Sequence, residues 1–262
     1  MENCGSLAMR LMTLGLMLIG RAWWADTPAR LGVVLAITLV FAALGHLVRG
    51  VTRSGAVAGA VVCFALFAGA GPGAFGTLLS VFALTWAATR IGLSRKQRLG
   101  TAERRDGRRA SQVLANVGVA AVCAIVYGVL GSPLMLFAMT AALAEAAADT
   151  VSSECGQGLR GEARLITTFE RVPAGTDGGV TLAGTLCGII AAALVSLASQ
   201  EAGLLPRGTF GIPMSAGILG MLLDSCLGAL CERRGWMGND AVNFSSTLFA
   251  ALLAAVFGHF LS

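Results

Sequence analysis

The chain has 262 residues, 56% of them hydrophobic and only 13% charged, with a mean hydropathy of +0.77; soluble domains carry about 25% charged residues. This excludes a soluble globular protein and predicts an integral membrane protein. The net charge of +5 is concentrated in one loop, SRKQRLGTAERRDGRR, where no aromatic residue is interleaved with the basic ones, so no nucleic-acid partner is expected.

The N-terminal stretch MENCGSLAMRLMTLGLMLIGRAWWAD is continuously apolar only from Leu11 to Gly20. That run is too short for a bilayer, which takes about 20 residues. With neither a basic leader nor a small-x-small cleavage site, it also reads poorly as a signal peptide. Residues 1–30 are therefore expected to form an interfacial helix anchored by Trp23 and Trp24, or an extra membrane segment. A single transmembrane helical domain is expected over 31–262.

Within that domain apolar runs predict spans at 31–48, 55–70, 74–92, 111–130, 133–150, 179–198, 211–231 and 242–261. The fold class is all-α, a polytopic transmembrane helix bundle of about 7–8 helices. Pro28, Pro72, Pro133, Pro173, Pro206 and Pro213 all fall in loops or first turns, where a missing amide costs a helix least.

Basic residues orient the bundle. The loops 49–54, 93–110, 151–178 and 232–241 hold most of the 19 Lys and Arg residues, whereas 71–73, 131–132 and 199–210 hold only Arg207. The basic face is expected to be cytoplasmic, with the protein in the cytoplasmic membrane. Seven cysteines without CxxC spacing read as small hydrophobes rather than as disulfides or zinc ligands. With only His46 and His259 as histidines, oxygen atoms are the expected ligands of any metal.

Polar clusters interrupt the apolar pattern at RRASQVLAN (108–116), EAAADTVSSECGQ (145–157), GTDGGVTLAGT (175–185), and GMLLDSCLGA with GNDAVNFSST (220–229 and 238–247). All lie at helix ends on the basic face or in the adjoining loops, where they can meet in one site. Ala138, Ala142, Glu145 and Asp149 share one helical stripe, as do Gly217, Gly220, Asp224 and Gly228, because residues three and four apart are neighbours on a helix. Small-residue faces pack against helices rather than lipid, so these acids point into the bundle. An acid at mid-membrane costs about 2.5–3.5 kcal/mol on insertion scales and calls for a cation, a proton or a partner.

Asp149 and Asp224 are the leading catalytic candidates, and Glu145 is expected to be structural. Thr176, Gly178 and Gly179 stand at the expected start of the sixth span, where helix amides favour an anion and Asp177 can hold a cation beside it. Asp240 and Asn243 open the last span, either as caps or as ligands. Arg160, Arg164 and Arg171 in the loop between Asp149 and Asp177, and Arg108 with Arg109 at the start of the fourth span, have the planar fork that suits phosphate, although topology alone accounts for basic residues there. Acids, amide dipoles and arginines without an activated nucleophile suit phosphoryl transfer from a nucleotide with Mg²⁺ or Mn²⁺.

The motifs GRRASQVLAN, ADTVSSECGQ, GTDGGVTLAGT, DSCLGA and NDAVNFSS, in this order across about residues 95–250, resemble the integral-membrane phytyl-phosphate kinase family. The resemblance implies a membrane-embedded kinase that transfers a phosphoryl group from a nucleoside triphosphate, CTP or a similar one, to a prenyl monophosphate such as phytyl phosphate. It implies metal or nucleotide roles for Asp149, Asp177, Asp224 and Asp240, with Gln112, Asn116, Glu154 and Asn243 around them. The expected partners are a prenyl-phosphate lipid, the nucleotide and membrane lipids, with a homo-oligomer left open. The alternative is a secondary transporter that uses intramembrane carboxylates for ion or proton coupling.

Overall fold

A computed structural model describes residues 24–102 and 107–260. The expected behaviour of Leu11–Gly20, and the anchoring role of Trp23, lie outside the described residues. Eight helices follow: α1 (Pro28–Leu47), α2 (Arg53–Arg90), α3 (Leu93–Leu99), α4 (Ala110–Leu130), α5 (Leu134–Gly158), α6 (Leu182–Glu201), α7 (Gly211–Leu227) and α8 (Asn239–His259). A π-helical segment, Gly228–Glu232, prolongs α7. All but the short α3 are long and apolar enough to cross a membrane, so the all-α polytopic bundle is as expected.

Helix α2 supplies two crossings. Its 38 residues would make a straight rod of about 57 Å, nearly twice the hydrocarbon core of about 30 Å. Gly71 breaks it with φ 83° and ψ −171°, and Pro72 opens the second arm. Ala56 and Trp86 line one pocket, yet in a straight helix they would stand about 45 Å apart. The chain therefore doubles back at Gly71, and the expected spans 55–70 and 74–92 are the arms of one hairpin. Trp24 covers this turn. Its ring stacks on Phe67 with centroids 5.0 Å apart, its amide donates to Ala68 O over 2.8 Å, and its side chain lies against Gly71.

The bundle is built around α5. Its apolar window is 83% buried, against 17% for the peripheral α1, and α2, α4, α6, α7 and α8 pack on it. Ala141, Ala142, Ala144, Ala147 and Ala148 are fully buried, and such small side chains let neighbouring backbones approach closely. The two small-residue stripes do meet: Gly217 of α7 lies against Ala144 and the Glu145 amide, and Gly220 against the Glu145 side chain. On the other flank Gly188 of α6 faces Ala148 and Ser152.

The basic loops gather at one end. Thr52 N–H donates to Arg108 O over 2.9 Å, joining the α1–α2 loop to the start of α4. Lys96 of α3 pairs with Glu154 of α5, Gly175 touches Thr101, and Gly178 lies against Ala229. At the opposite end Gly73 of the α2 turn meets Ala202 and Leu204 beyond α6. The α5–α6 loop folds into a small antiparallel sheet with β1 (Ala163–Leu165) between β2 (Arg171–Val172) and β3 (Gly179–Val180). Ala163 pairs with Val172 and Leu165 with Gly179.

Candidate active site

Asp149 leaves the second half of α5 and Asp224 the end of α7, and both line one polar cavity. The two carboxyls act on one another electrostatically. Glu145, one turn deeper on α5, is only 1% exposed, and its Oε1 has no hydrogen-bond partner among the described residues. It interacts electrostatically with Asp149 and Asp224, so three acids share a low-dielectric space. Serine and amide groups brace them. Ser246 Oγ donates to Asp224 Oδ2 over 3.1 Å. With its amide nitrogen turned towards Asp224, Asn243 donates to Oδ2 over 3.2 Å and accepts from Asn116 Nδ2 over 2.9 Å. Asn116 is itself nearly buried, at 8% exposure.

A second polar space shares Asp149, Ser153, Asn239 and Asn243 with the first and adds Arg108, Gln112, Asn116 and Glu154. The motifs distant in sequence thus converge on one divided chamber at the basic end of the bundle. The Arg108 Nη2 donates to Thr150 Oγ1 over 3.4 Å, and its charge acts on Asp149. Among the described residues no three His, Cys, Asp or Glu side chains form a closed ion cage. A donor set of two facing carboxylates beside amide and hydroxyl oxygens suits Mg²⁺, which is commonly held by one or two carboxylates and completed by phosphate oxygens and water.

The profile of the family described as "Integral membrane protein DUF92" matches residues 36–251, which takes in every polar motif named above. The chain belongs to the DUF92 family. An uncharacterized membrane protein of Methanocaldococcus jannaschii is 34% identical over 236 residues, covering 88% of this chain and 95% of its own. The chloroplastic protein VTE6 of Arabidopsis thaliana is 29% identical over 224 residues, covering 82% of this chain and 67% of its own. Protein PGR of the same plant is 30% identical over 232 residues, covering 70% and 81%. These matches agree with the family resemblance carried by the motifs. No solved structure matches significantly.

In this DUF92 chain the expected site residues divide into three groups. Asp149, Asp224, Asn243 and Asn116 meet at the centre. Asp177, Thr176, Gly178 and Gly179 line the first space, but as a turn rather than as a helix N-terminus. Gly179 N–H donates to Thr176 O over 2.8 Å, and α6 starts only at Leu182, where Thr181 Oγ1 caps Gly184 N–H over 3.0 Å. Gln112 lines the second space while its Oε1 accepts from Arg109 N–H over 2.9 Å as the cap of α4.

The remaining residues stand apart from the carboxylate pair. Glu154 borders the second space, yet its carboxylate is taken by Lys96, a fully buried lysine whose Nζ also donates to Thr89 O over 2.8 Å. Asp240 lies in the first turn of α8 and lines neither space, a position that complements the helix dipole. Arg160, Arg164 and Arg171 are exposed and line neither space. Arg164 and Arg171 are instead drawn to Glu162, at 3.4 Å and 3.1 Å.

Sequence reasoning missed Glu232, Asn239 and Ser153, all of which line the chamber. Glu232 ends the π segment and acts electrostatically on Asp177 and Asp149. On a regular helix a residue eight places after Asp224 would point about 80° away from it. The wider π turn takes up the extra residue and restores the facing, in keeping with the frequent placement of π segments at functional sites. Asn239 was legible as the i, i+4 partner of Asn243, a spacing as close on a helix as the i, i+3 spacing that favoured Asp240.

Proposed function

We propose that this protein is a membrane-embedded kinase that transfers a phosphoryl group from a nucleoside triphosphate, with CTP the first candidate, to a prenyl monophosphate such as phytyl phosphate, giving the diphosphate. The observation that carries this reading is the facing pair Asp149 and Asp224 in a polar chamber at the end of the bundle where the basic loops gather. The basic end is taken as the cytoplasmic one by the positive-inside rule, so a soluble nucleotide reaches the chamber while a lipid reaches it from the bilayer.

The residues divide the work as follows. Asp149 and Asp224 would hold Mg²⁺ or Mn²⁺, which would supply positive charge to offset that of the nucleotide phosphates. Asn243 and Ser246 fix the Asp224 carboxylate, and Asn116 fixes Asn243. The turn carrying Thr176, Gly178 and Gly179 lines the same space as the two aspartates and would contribute backbone amides to the nucleotide phosphates. The acceptor needs no general base, because a phosphomonoester with a second pKa of about 6 is already largely ionised at neutral pH. Positioning in line with the donor is then the main contribution of the protein. The test is an assay of purified protein with prenyl monophosphates, each nucleoside triphosphate and Mg²⁺; formation of the diphosphate supports the reading. Ion flux in liposomes without nucleotide turnover would favour a transporter.

A further inference from the structure

An apolar groove adjoins the polar chamber and shares Arg108 and Asn116 with it. Its walls include Phe41 of α1, Gly59 and Val62 of the first arm of α2, Leu78 and Phe82 of the second arm, and Val117 of α4. From Thr89 at the polar end to Leu78, the helical wall runs about 16 Å. The polar end is chemically defined. Arg108 is held in place through its backbone: its N–H donates to Gly50 O over 3.1 Å, and its carbonyl accepts from Thr52 N–H over 2.9 Å. Trp86 lines the same end.

An apolar corridor that ends on a guanidinium is complementary to one kind of ligand: a hydrocarbon chain with an anionic head. A nucleotide, polar along its whole length, fits the neighbouring chamber and not this groove. Gly59 is notable among the wall residues, because a Cβ added there would meet nothing within 4 Å. The missing side chain leaves open groove rather than close helix packing.

We propose that the groove seats the tail of the phosphomonoester acceptor, that Arg108 binds its head phosphate, and that Gly59 sets how long a chain is admitted. The proposal rests on the kinase reading for the word acceptor, but its binding claim is separable. A chain lying between α1, the α2 arms and α4 brings its head to the junction of the two spaces, beside Asn116 and within the chamber that holds Asp149.

The test measures binding of geranylgeranyl monophosphate, dimethylallyl monophosphate, geranylgeraniol and inorganic phosphate to the purified protein by native mass spectrometry. Turnover with nucleotide is followed in the same preparations. The wild type is expected to prefer geranylgeranyl monophosphate over both the alcohol and inorganic phosphate. In the graded series Gly59→Ala, Gly59→Val and Gly59→Leu, affinity for the long chain falls stepwise, by about tenfold or more at leucine, while dimethylallyl monophosphate binds unchanged; the mild members guard against misfolding. Arg108→Gln abolishes the preference for the monophosphate over the alcohol, yet both still bind.

Unchanged long-chain binding in the folded members of the Gly59 series, or a wild type that binds geranylgeranyl monophosphate no better than inorganic phosphate, overturns the proposal. Binding as expected without diphosphate formation would remove the kinase reading and leave the groove. Diphosphate formed from the long chain at the wild-type rate by Gly59→Leu would remove the groove and leave the kinase.

Discussion

Asn116 on α4 donates to Asn243 on α8 across 2.9 Å, and the same Asn243 donates onward to Asp224 on α7 across 3.2 Å. Three helices are thus tied through one relay that ends on a carboxylate of the candidate site. Replacing Asn243 by Ala strips Asp224 of a donor and leaves the nearly buried Asn116 one acceptor short. An orphaned buried polar group costs about 1–3 kcal/mol, and loss of a group that orients a metal ligand typically costs about 10- to 100-fold in activity or metal affinity. Asn243→Ala is expected to raise the Mg²⁺ concentration needed for half-maximal turnover by about that factor, measured by titration of activity with Mg²⁺. An unchanged Mg²⁺ dependence would remove the relay from the account.

Asp149→Asn and Asp224→Asn preserve size and most hydrogen bonding while deleting one charge from the facing pair. Each is expected to lower kcat by about 10²- to 10³-fold, the range typical for losing one element that stabilises developing charge. Affinity for the lipid is expected to stay near that of the wild type. Steady-state kinetics together with lipid binding separate the two effects. Glu145→Gln, in contrast, keeps a polar group of the same shape against Gly220 and is expected to cost less activity than either.

Lys96 and Glu154 form a pair whose side chains are 1% and 14% exposed. Removing one partner of such a pair leaves an uncompensated buried charge and costs about 3–5 kcal/mol, whereas replacing both by apolar residues is often close to neutral. Glu154→Gln is therefore expected to lower the thermal unfolding midpoint clearly, and Lys96→Met combined with Glu154→Leu to recover most of the loss. Thermal unfolding in detergent checks this. Were Glu154 a metal ligand instead, the double variant would remain inactive even when its stability is restored.

Gly178 has φ +73°, and a Cβ there would stand 2.5 Å from the Ala229 amide nitrogen, so Gly178→Ala meets both backbone strain and a clash with the π segment. Gly131, with φ +66° and nothing within 4 Å, isolates the first effect, which is worth about 1–3 kcal/mol for a residue other than glycine. Gly178→Ala is expected to loosen the small sheet and speed tryptic cleavage at the exposed Arg164 and Arg171, whereas Gly131→Ala is not. Equal cleavage in the two variants would mean that the turn is not held by its contact with α7.

Local pattern carried the parts of this architecture that depend on one helix at a time. The stripes through Asp149 and Asp224 were legible because a membrane helix that buries an acid must line it with small residues, and the two stripes do pack on one another through Gly217 and Gly220. Pro72 marked a loop where the chain reverses, although the conformation that turns it belongs to Gly71. What stayed hidden depends on contacts between distant segments. Nothing near Glu154 in the sequence announces that Lys96, 58 residues earlier, will neutralise it. Glu232 was masked by a change of helical period, and Arg164 and Arg171 by a sheet of strands too short to show alternation.

The central claim is that the chamber around Asp149 and Asp224 transfers phosphate from a nucleotide to a lipid monophosphate. The most direct measurement incubates purified protein with γ-labelled CTP, Mg²⁺ and phytyl or geranylgeranyl monophosphate, and follows label into the lipid diphosphate. Label is expected in the diphosphate with the wild type and its near-complete loss with Asp149→Asn and Asp224→Asn. No labelled diphosphate with any nucleoside triphosphate, or equal labelling by the two aspartate variants, would contradict the account.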